Sequence, residues 1–187
     1  MHAPLWLVRL HGYFGNPRPR LAAAGSIALI IAGNQPFYPL YVYAIAGPKA
    51  LVTLLTWLST PFFLAVPGLC RRNGKAGLRL LLAAAFGNTL LSAVALGTAS
   101  GVEWFYAPCI ALVPLLFAPG ERRGLLLGAI MATVGGMTAV RLAGGNGVVG
   151  FSGPELASLG RLHLLSVVAL MALFAAMGWR LRQTPVP

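Results

Sequence analysis

The feature that most constrains this chain is a series of apolar runs, each long enough to cross a lipid bilayer. A membrane-crossing helix needs about 20 apolar residues, within a range of about 17–25. Only 9% of the 187 residues are charged, against about 25% in a soluble domain. We therefore predict an all-α integral membrane protein, a bundle of six transmembrane helices. The predicted spans are 21–46, 50–70, 78–99, 102–118, 124–141 and 156–178.

The distribution of basic residues predicts the orientation of this bundle. Cytoplasmic loops of membrane proteins carry an excess of Lys and Arg. With both termini in the cytoplasm, three of the fourteen basic residues lie at the outer face (Lys49, Arg141 and Arg161) and eleven lie inside. We expect an amphipathic cytoplasmic segment at 1–20, the six-helix domain at 21–182 and a short tail at 183–187. The expected location is a bacterial inner membrane. The eleven basic residues predicted to lie on the cytoplasmic side are Arg9, Arg18, Arg20, Arg71, Arg72, Lys75, Arg79, Arg122, Arg123, Arg180 and Arg182.

The composition argues against most kinds of chemistry. The chain has three glutamates and no aspartate, so paired-carboxylate and Asp–metal mechanisms lack their residues. The two cysteines, Cys70 and Cys109, lie in different runs without metal-ligand spacing. The net charge of +11 is explained by basic cytoplasmic loops that also contact anionic lipid, so we expect no nucleic acid partner. We predict no catalytic residues, no cofactor and no metal.

Amide side chains interrupt the apolar runs near mid-bilayer. Asn34 and Gln35 precede Pro36 within the first run, and Asn88 lies near the centre of the third. Lipid cannot hydrogen-bond these groups, and proline removes a helical hydrogen bond. We therefore predict a broken first helix that faces protein. The amides are either interhelical hydrogen bonds or part of a ligand pocket.

A second polar layer is predicted near the outer face. Glu103 begins the fourth run, and Arg161 and His163 lie in the first two turns of the sixth. Glu103 forms an ion pair with Arg161 or His163, or these groups bind a polar or anionic ligand. Both alternatives make the three residues candidates for a site.

Around its fourth run the chain carries two motifs, Gly101-x-Glu103-x-Phe105-x-x-Pro108 and Leu116-Phe117-x-x-x-Glu121-Arg122. These motifs resemble those of a known family. The same family arrangement includes a double-basic loop after the second run (Arg71-Arg72) and the run that opens the last helix, Arg161-Leu-His163-Leu-Leu-Ser166-Val-Val. This arrangement is similar to the six-helix membrane-sensor modules at the N-termini of bacterial adenylate cyclases, histidine kinases and diguanylate cyclases. Only residues 183–187 follow Arg182, so the resemblance implies an anchor or receptor that lacks an output domain and acts on a partner chain.

Three functions are compatible with these patterns. The first is a non-catalytic membrane sensor or regulatory module whose pocket binds a small lipophilic ligand. The second is a small transporter or channel, because broken helices with polar centres also form transport sites. The third is an accessory subunit of a larger membrane complex, packed through small-residue helix faces. Besides lipid, the expected partners are a second copy of the chain or another membrane protein.

Overall fold

A computed structural model describes residues 16–183, which form helices and no strand. Seven of the helices in this range are α-helices, and three are 3-10 helices, which have three residues per turn. The expected amphipathic N-terminal segment falls mostly on residues 1–15, and most of the expected tail on 184–187, outside the described residues. The 3-10 helices are Gly47–Ser59, Thr98–Ser100 and Val102–Phe105. The α-helices are α1 (Pro19–Asn34), α2 (Tyr38–Ala46), α3 (Thr60–Arg72), α4 (Gly74–Leu96), α5 (Tyr106–Leu116), α6 (Pro119–Leu142) and α7 (Gly153–Gln183).

Four helical stretches within residues 16–183 are long and apolar enough to cross a membrane. The first of them, Pro19–Arg72, has 54 residues and folds back on itself. Its two arms are antiparallel, because Gly25 packs near Pro67 and Gln35 hydrogen-bonds Ser59. The apolar segment Val102–Leu116 is shorter than the four. The four stretches are Pro19–Arg72, Gly74–Leu96, Pro119–Leu142 and Gly153–Gln183.

The predicted interruption of the first helix is present at residues 35–37. There α1 ends at Asn34 and α2 begins at Tyr38. Pro36 and Pro39 have no backbone N–H, so the regular hydrogen-bond ladder cannot continue through them. Gln35 lies at the break and is buried, whereas Asn34 is exposed.

A 13-residue 3-10 helix, Gly47–Ser59, was not predicted. Side chains three residues apart lie on one face of a 3-10 helix. Ala50, Thr53, Thr56 and Ser59 have this spacing, and all four are buried. Each hydroxyl donates to the carbonyl three residues earlier, at 2.6 Å for Thr53 and 2.7 Å for the other two. The first half of the second predicted span is therefore a tight helix with a polar buried edge.

The bundle has two chemically different ends. At the end we call the basic end, Lys75 pairs with Glu121 at 3.2 Å. The arginine pair 71–72 ends α3 at this end of the bundle, and the pair 122–123 lies in the first turns of α6. At the opposite end, which we call the loop end, Lys49 pairs with Glu155 at 2.8 Å. The main apolar core lies between α1, α3, α4, α5 and α7 and includes Ile27, Phe63, Leu81, Leu112 and Phe174.

Candidate functional site

A cavity of about 380 Å³ lies inside the bundle. Its walls come from α1 to α5 and α7, together with residues of two 3-10 helices. Most of the lining is apolar, and none of the lining residues is an Asp, Glu, Lys or Arg. Pockets for small molecules are mostly apolar with a few placed polar groups and measure about 300–1,000 Å³. We call this space the central cavity.

Gln35 and Asn88 lie on one wall of the central cavity. They form a hydrogen-bonded cluster with Ser59, which we call the amide cluster. Gln35 Nε2 donates to Ser59 Oγ at 2.9 Å and to Asn88 Oδ1 at 3.0 Å. Ser59 Oγ lies 2.8 Å from Asn88 Oδ1 and 2.7 Å from the Thr56 carbonyl oxygen. A hydroxyl has one proton, so Ser59 cannot donate fully to both acceptors. The cluster joins the break after α1, the 3-10 helix and α4.

The amide cluster keeps hydrogen-bonding capacity that faces the cavity. Asn88 Nδ2 makes no hydrogen bond within residues 16–183, although Asn88 lines the cavity. Asn34 also lines the cavity, is exposed, and makes no side-chain hydrogen bond to another described residue. Of the three predicted amides, Gln35 and Asn88 therefore meet directly, and Asn34 lies apart at the rim. The arrangement offers neutral donors and acceptors but no charge.

His163 lies near the loop end of the central cavity and is fully buried. Its Nδ1 lies 2.8 Å from the Ser100 carbonyl oxygen, and its Nε2 lies 2.9 Å from the Tyr38 hydroxyl. A carbonyl only accepts, so Nδ1 carries the proton and Nε2 accepts from Tyr38. The ring of Phe105 packs edge-on against the imidazole at 5.8 Å between centroids. His163 thus connects α2, α7 and the short 3-10 helices, and it does not contact Glu103.

One of the two alternatives predicted for Glu103, an ion pair with Arg161 or His163, is wrong. Glu103 Oε2 lies 3.7 Å from Arg141 Nη2, and Arg161 instead donates to Ser158 Oγ at 3.2 Å. Glu103, Arg141 and Arg161 nevertheless lie at the same end of the bundle. Glu103 and Arg161 both line a second cavity of about 380 Å³ at the loop end, which we call the loop-end cavity.

Sequence reasoning missed the hydroxyl partners of the amides and of the histidine. Ser59 and Thr56 belong to the spacing Thr53-x-x-Thr56-x-x-Ser59, which is the signal of a polar edge on a 3-10 helix. No pattern in the sequence pairs Tyr38 with His163. No group of three or more His, Cys, Asp or Glu side chains within residues 16–183 is placed to hold a metal ion.

The chain matches one protein-family model. The family is MASE7, a family of membrane-associated sensor domains, and the match covers residues 16–185. No curated protein and no solved structure matches the chain significantly.

Proposed function

Because this chain belongs to the MASE7 family of membrane-associated sensor domains, we propose that it is a non-catalytic sensor that binds a small lipophilic ligand in the central cavity. The observation that carries this proposal is the amide cluster on the wall of an otherwise apolar cavity. Buried amides that only held helices together would contribute about 0.6 kcal/mol each and would need no adjoining space. In a cavity beside them, a ligand can hydrogen-bond the donors and acceptors of the amides that have no partner.

The lining chemistry defines the class of ligand. No charged side chain lines the central cavity, and an unpaired charge buried in such a site is expensive. The ligand is therefore uncharged, with one hydroxyl, carbonyl or amide group at the amide cluster. Its remaining atoms are apolar and lie against residues such as Phe63, Leu112 and Phe174.

We propose that the ligand acts by changing contacts of α7. This helix lines the cavity through Leu162, Ser166 and Leu170 and continues to Gln183. Its 31 residues span about 46 Å at 1.5 Å per residue, longer than the hydrocarbon core of about 30 Å. A ligand that favours one position of α7 thereby moves the basic turn around Arg180 and Arg182 relative to the other helices. That turn is the proposed contact with the partner.

The proposed topology has six crossings with both termini in the cytoplasm of a bacterial cell. It is supported by the antiparallel hairpin within Pro19–Arg72, which supplies two crossings, and by the apolar segment Val102–Leu116, which supplies one. The charge difference between the two ends of the bundle supports the orientation, since basic loops stay in the cytoplasm.

A second proposed contact with the partner, along the helices, is the exposed side of α6. Gly124, Gly128 and Gly135 are exposed, and a methyl group added at any of them meets no atom within 4 Å. Small residues at this spacing let a second transmembrane helix approach closely. A second copy of the chain and another membrane protein are both suitable partners for this face.

The ligand proposal is tested with probes of equal chain length and different head charge. Purified protein is titrated with 1-dodecanol, dodecanoate and dodecylammonium, and its melting temperature is followed. We expect 1-dodecanol to stabilise the chain and the two charged probes to do so much less. Asn88→Leu should abolish the difference, whereas the control Asn146→Leu, an exposed amide outside the cavity, should keep it. Equal responses to all three probes in the unmodified chain would contradict the proposal.

A further inference from the structure

Glu103 is the unusual acid at the loop end. Its side chain is only 20% exposed, and its Oε2 is buried and accepts no hydrogen bond within residues 16–183. The nearest cation, Arg141 Nη2, lies 3.7 Å away, beyond hydrogen-bond distance, on a side chain that is 61% exposed. Buried polar atoms nearly always have a hydrogen-bond partner, because leaving one unpaired is costly. The carboxylate of Glu103 therefore has no hydrogen-bonded cation within residues 16–183 to balance its charge.

Arg161 is the complementary group of the same cavity. It lies on α7, is exposed, and its only side-chain hydrogen bond within the described residues goes to Ser158 Oγ. A guanidinium carries five N–H donors, so most of this one's capacity is unused. Glu103, Trp104 and Arg161 all line the loop-end cavity, which holds about 380 Å³.

We propose that the loop-end cavity binds a zwitterion, with an ammonium group at Glu103 and an oxyanion at Arg161. An ammonium in the cavity balances the charge of the Glu103 carboxylate, and the indole of Trp104 adds a cation–π surface. A phosphate or carboxylate oxygen accepts from the guanidinium of Arg161, the geometry that arginine binds best. A simple anion would face Glu103, and a simple cation would face Arg161, so each would leave one of the two groups unmatched.

The source of the zwitterion is either a phospholipid headgroup or a free metabolite, and the surface beside the cavity favours the lipid. Leu164 lines the cavity and is 49% exposed. Val168 and Met171 follow it at helical spacing on α7, and both are exposed. An acyl chain can lie along this apolar stripe while the headgroup occupies the cavity. This site is separate from the central cavity, so its failure would leave the proposed sensor function standing.

The test compares phospholipids on the full chain. The protein is reconstituted in nanodiscs of phosphatidylglycerol with a minor fraction of phosphatidylethanolamine, and native mass spectrometry measures which lipid it retains. We expect preferential retention of phosphatidylethanolamine. Glu103→Gln and Arg161→Gln should each lower it about tenfold, as expected for losing one hydrogen bond to a charged group. The matched controls Glu121→Gln and Arg123→Gln, at the basic end, should retain it unchanged.

Two results would overturn the proposal. One is retention of both lipids in proportion to their abundance, and the other is retention by Glu103→Gln and Arg161→Gln equal to that of the unmodified chain. Arg161 is exposed, so its substitution tests the site even where Glu103→Gln lowers the melting temperature. Added O-phosphoethanolamine then separates the sources. Displacement of the lipid by this soluble zwitterion indicates that a free metabolite also fits, and retention of the lipid assigns the site to lipid.

Discussion

At the scale of single residues, the roles of the buried polar side chains follow from which of their donors and acceptors have a hydrogen-bond partner. Ser59 has one proton and two acceptors, and Asn88 has a donor with no partner among the described residues. His163 is the opposite case, since both of its ring nitrogens are paired in a fully buried position. The first pattern is typical of a group that can exchange partners with a ligand. The second is typical of a structural connection.

The structural role of His163 predicts the effect of removing its donor. Tyr38→Phe leaves the buried Nε2 of His163 without a hydrogen bond, and it leaves the bond from Nδ1 to Ser100 intact. We expect the free energy of unfolding to fall by about 1–3 kcal/mol, the cost of an unpaired buried acceptor. Equilibrium unfolding in mixed micelles measures it.

The control for this prediction is a second tyrosine of α2. Tyr43 is 56% exposed and its hydroxyl makes no hydrogen bond within residues 16–183, so Tyr43→Phe should change the stability by less than about 0.5 kcal/mol. Equal effects of the two substitutions would show that the Tyr38–His163 bond contributes nothing to stability.

At the scale of elements, helix type decides which residues share a face. In the 3-10 helix Gly47–Ser59, residues three apart are aligned, so Thr53, Thr56 and Ser59 form one buried edge that leads to the amide cluster. In an α-helix each residue turns by about 100°, and Ser59 would lie half a turn away from Ala50. The tight helix is therefore what brings Ser59 to Gln35 and Asn88.

Close packing of α4 against the end of α3 gives a prediction at the same scale. A methyl group at Gly77 would lie 2.7 Å from the backbone nitrogen of Cys70, and the backbone cannot move as a side-chain end can. Gly77→Ala should lower the free energy of unfolding by about 1–3 kcal/mol, the usual cost of overpacking.

Gly87, on the same helix, provides the matched control. It has no atom within 4 Å of the position of an added methyl group. Gly87→Ala should raise stability by up to about 1 kcal/mol through helix propensity alone. Thermal unfolding of both variants in one detergent compares them directly. A stable Gly77→Ala protein would mean that α3 and α4 pack less closely than described.

At the scale of the whole molecule, the two ends of the bundle differ in charge and in the chemistry they support. The basic end holds both arginine pairs, 71–72 and 122–123, and the loop end holds Glu103, Glu155 and the two ion pairs that they form. This separation supports the proposed orientation, in which the loop-end cavity and the basic turn of α7 would face opposite compartments.

The proposed orientation predicts which cysteines react with an impermeant thiol reagent. Gly150 at the loop end and Gly120 at the basic end are suitable positions for a cysteine, because both are exposed and have open space for a side chain. The nearby Gly147 is unsuitable, because its φ is +75° and backbone atoms crowd the position of an added side chain. In a background lacking Cys70 and Cys109, Gly150→Cys should react in intact cells. Gly120→Cys should react only after the membrane is opened. The reverse pattern would place the loop end in the cytoplasm.

The amino-acid sequence by itself determined the class of protein and the positions of its polar interruptions. Run length and charge content decide membrane insertion, because transfer of a segment into a bilayer depends on that segment's own residues. For the same reason the break after Asn34 could be predicted, since proline lacks an N–H in any context. The motifs near Glu103 pointed to membrane sensors, and the match to MASE7 confirms that family-level interpretation.

Only the tertiary structure decided which polar groups meet. Gln35 and Asn88 are 53 residues apart, and Glu103 pairs with Arg141 and not with Arg161 or His163. Such pairings depend on the rotation of each helix about its own axis, which changes by about 100° for every residue of register. The 3-10 helix turns by a different angle per residue, so it altered which residues face the core. Local sequence does not determine these angles, because they result from packing all the helices together.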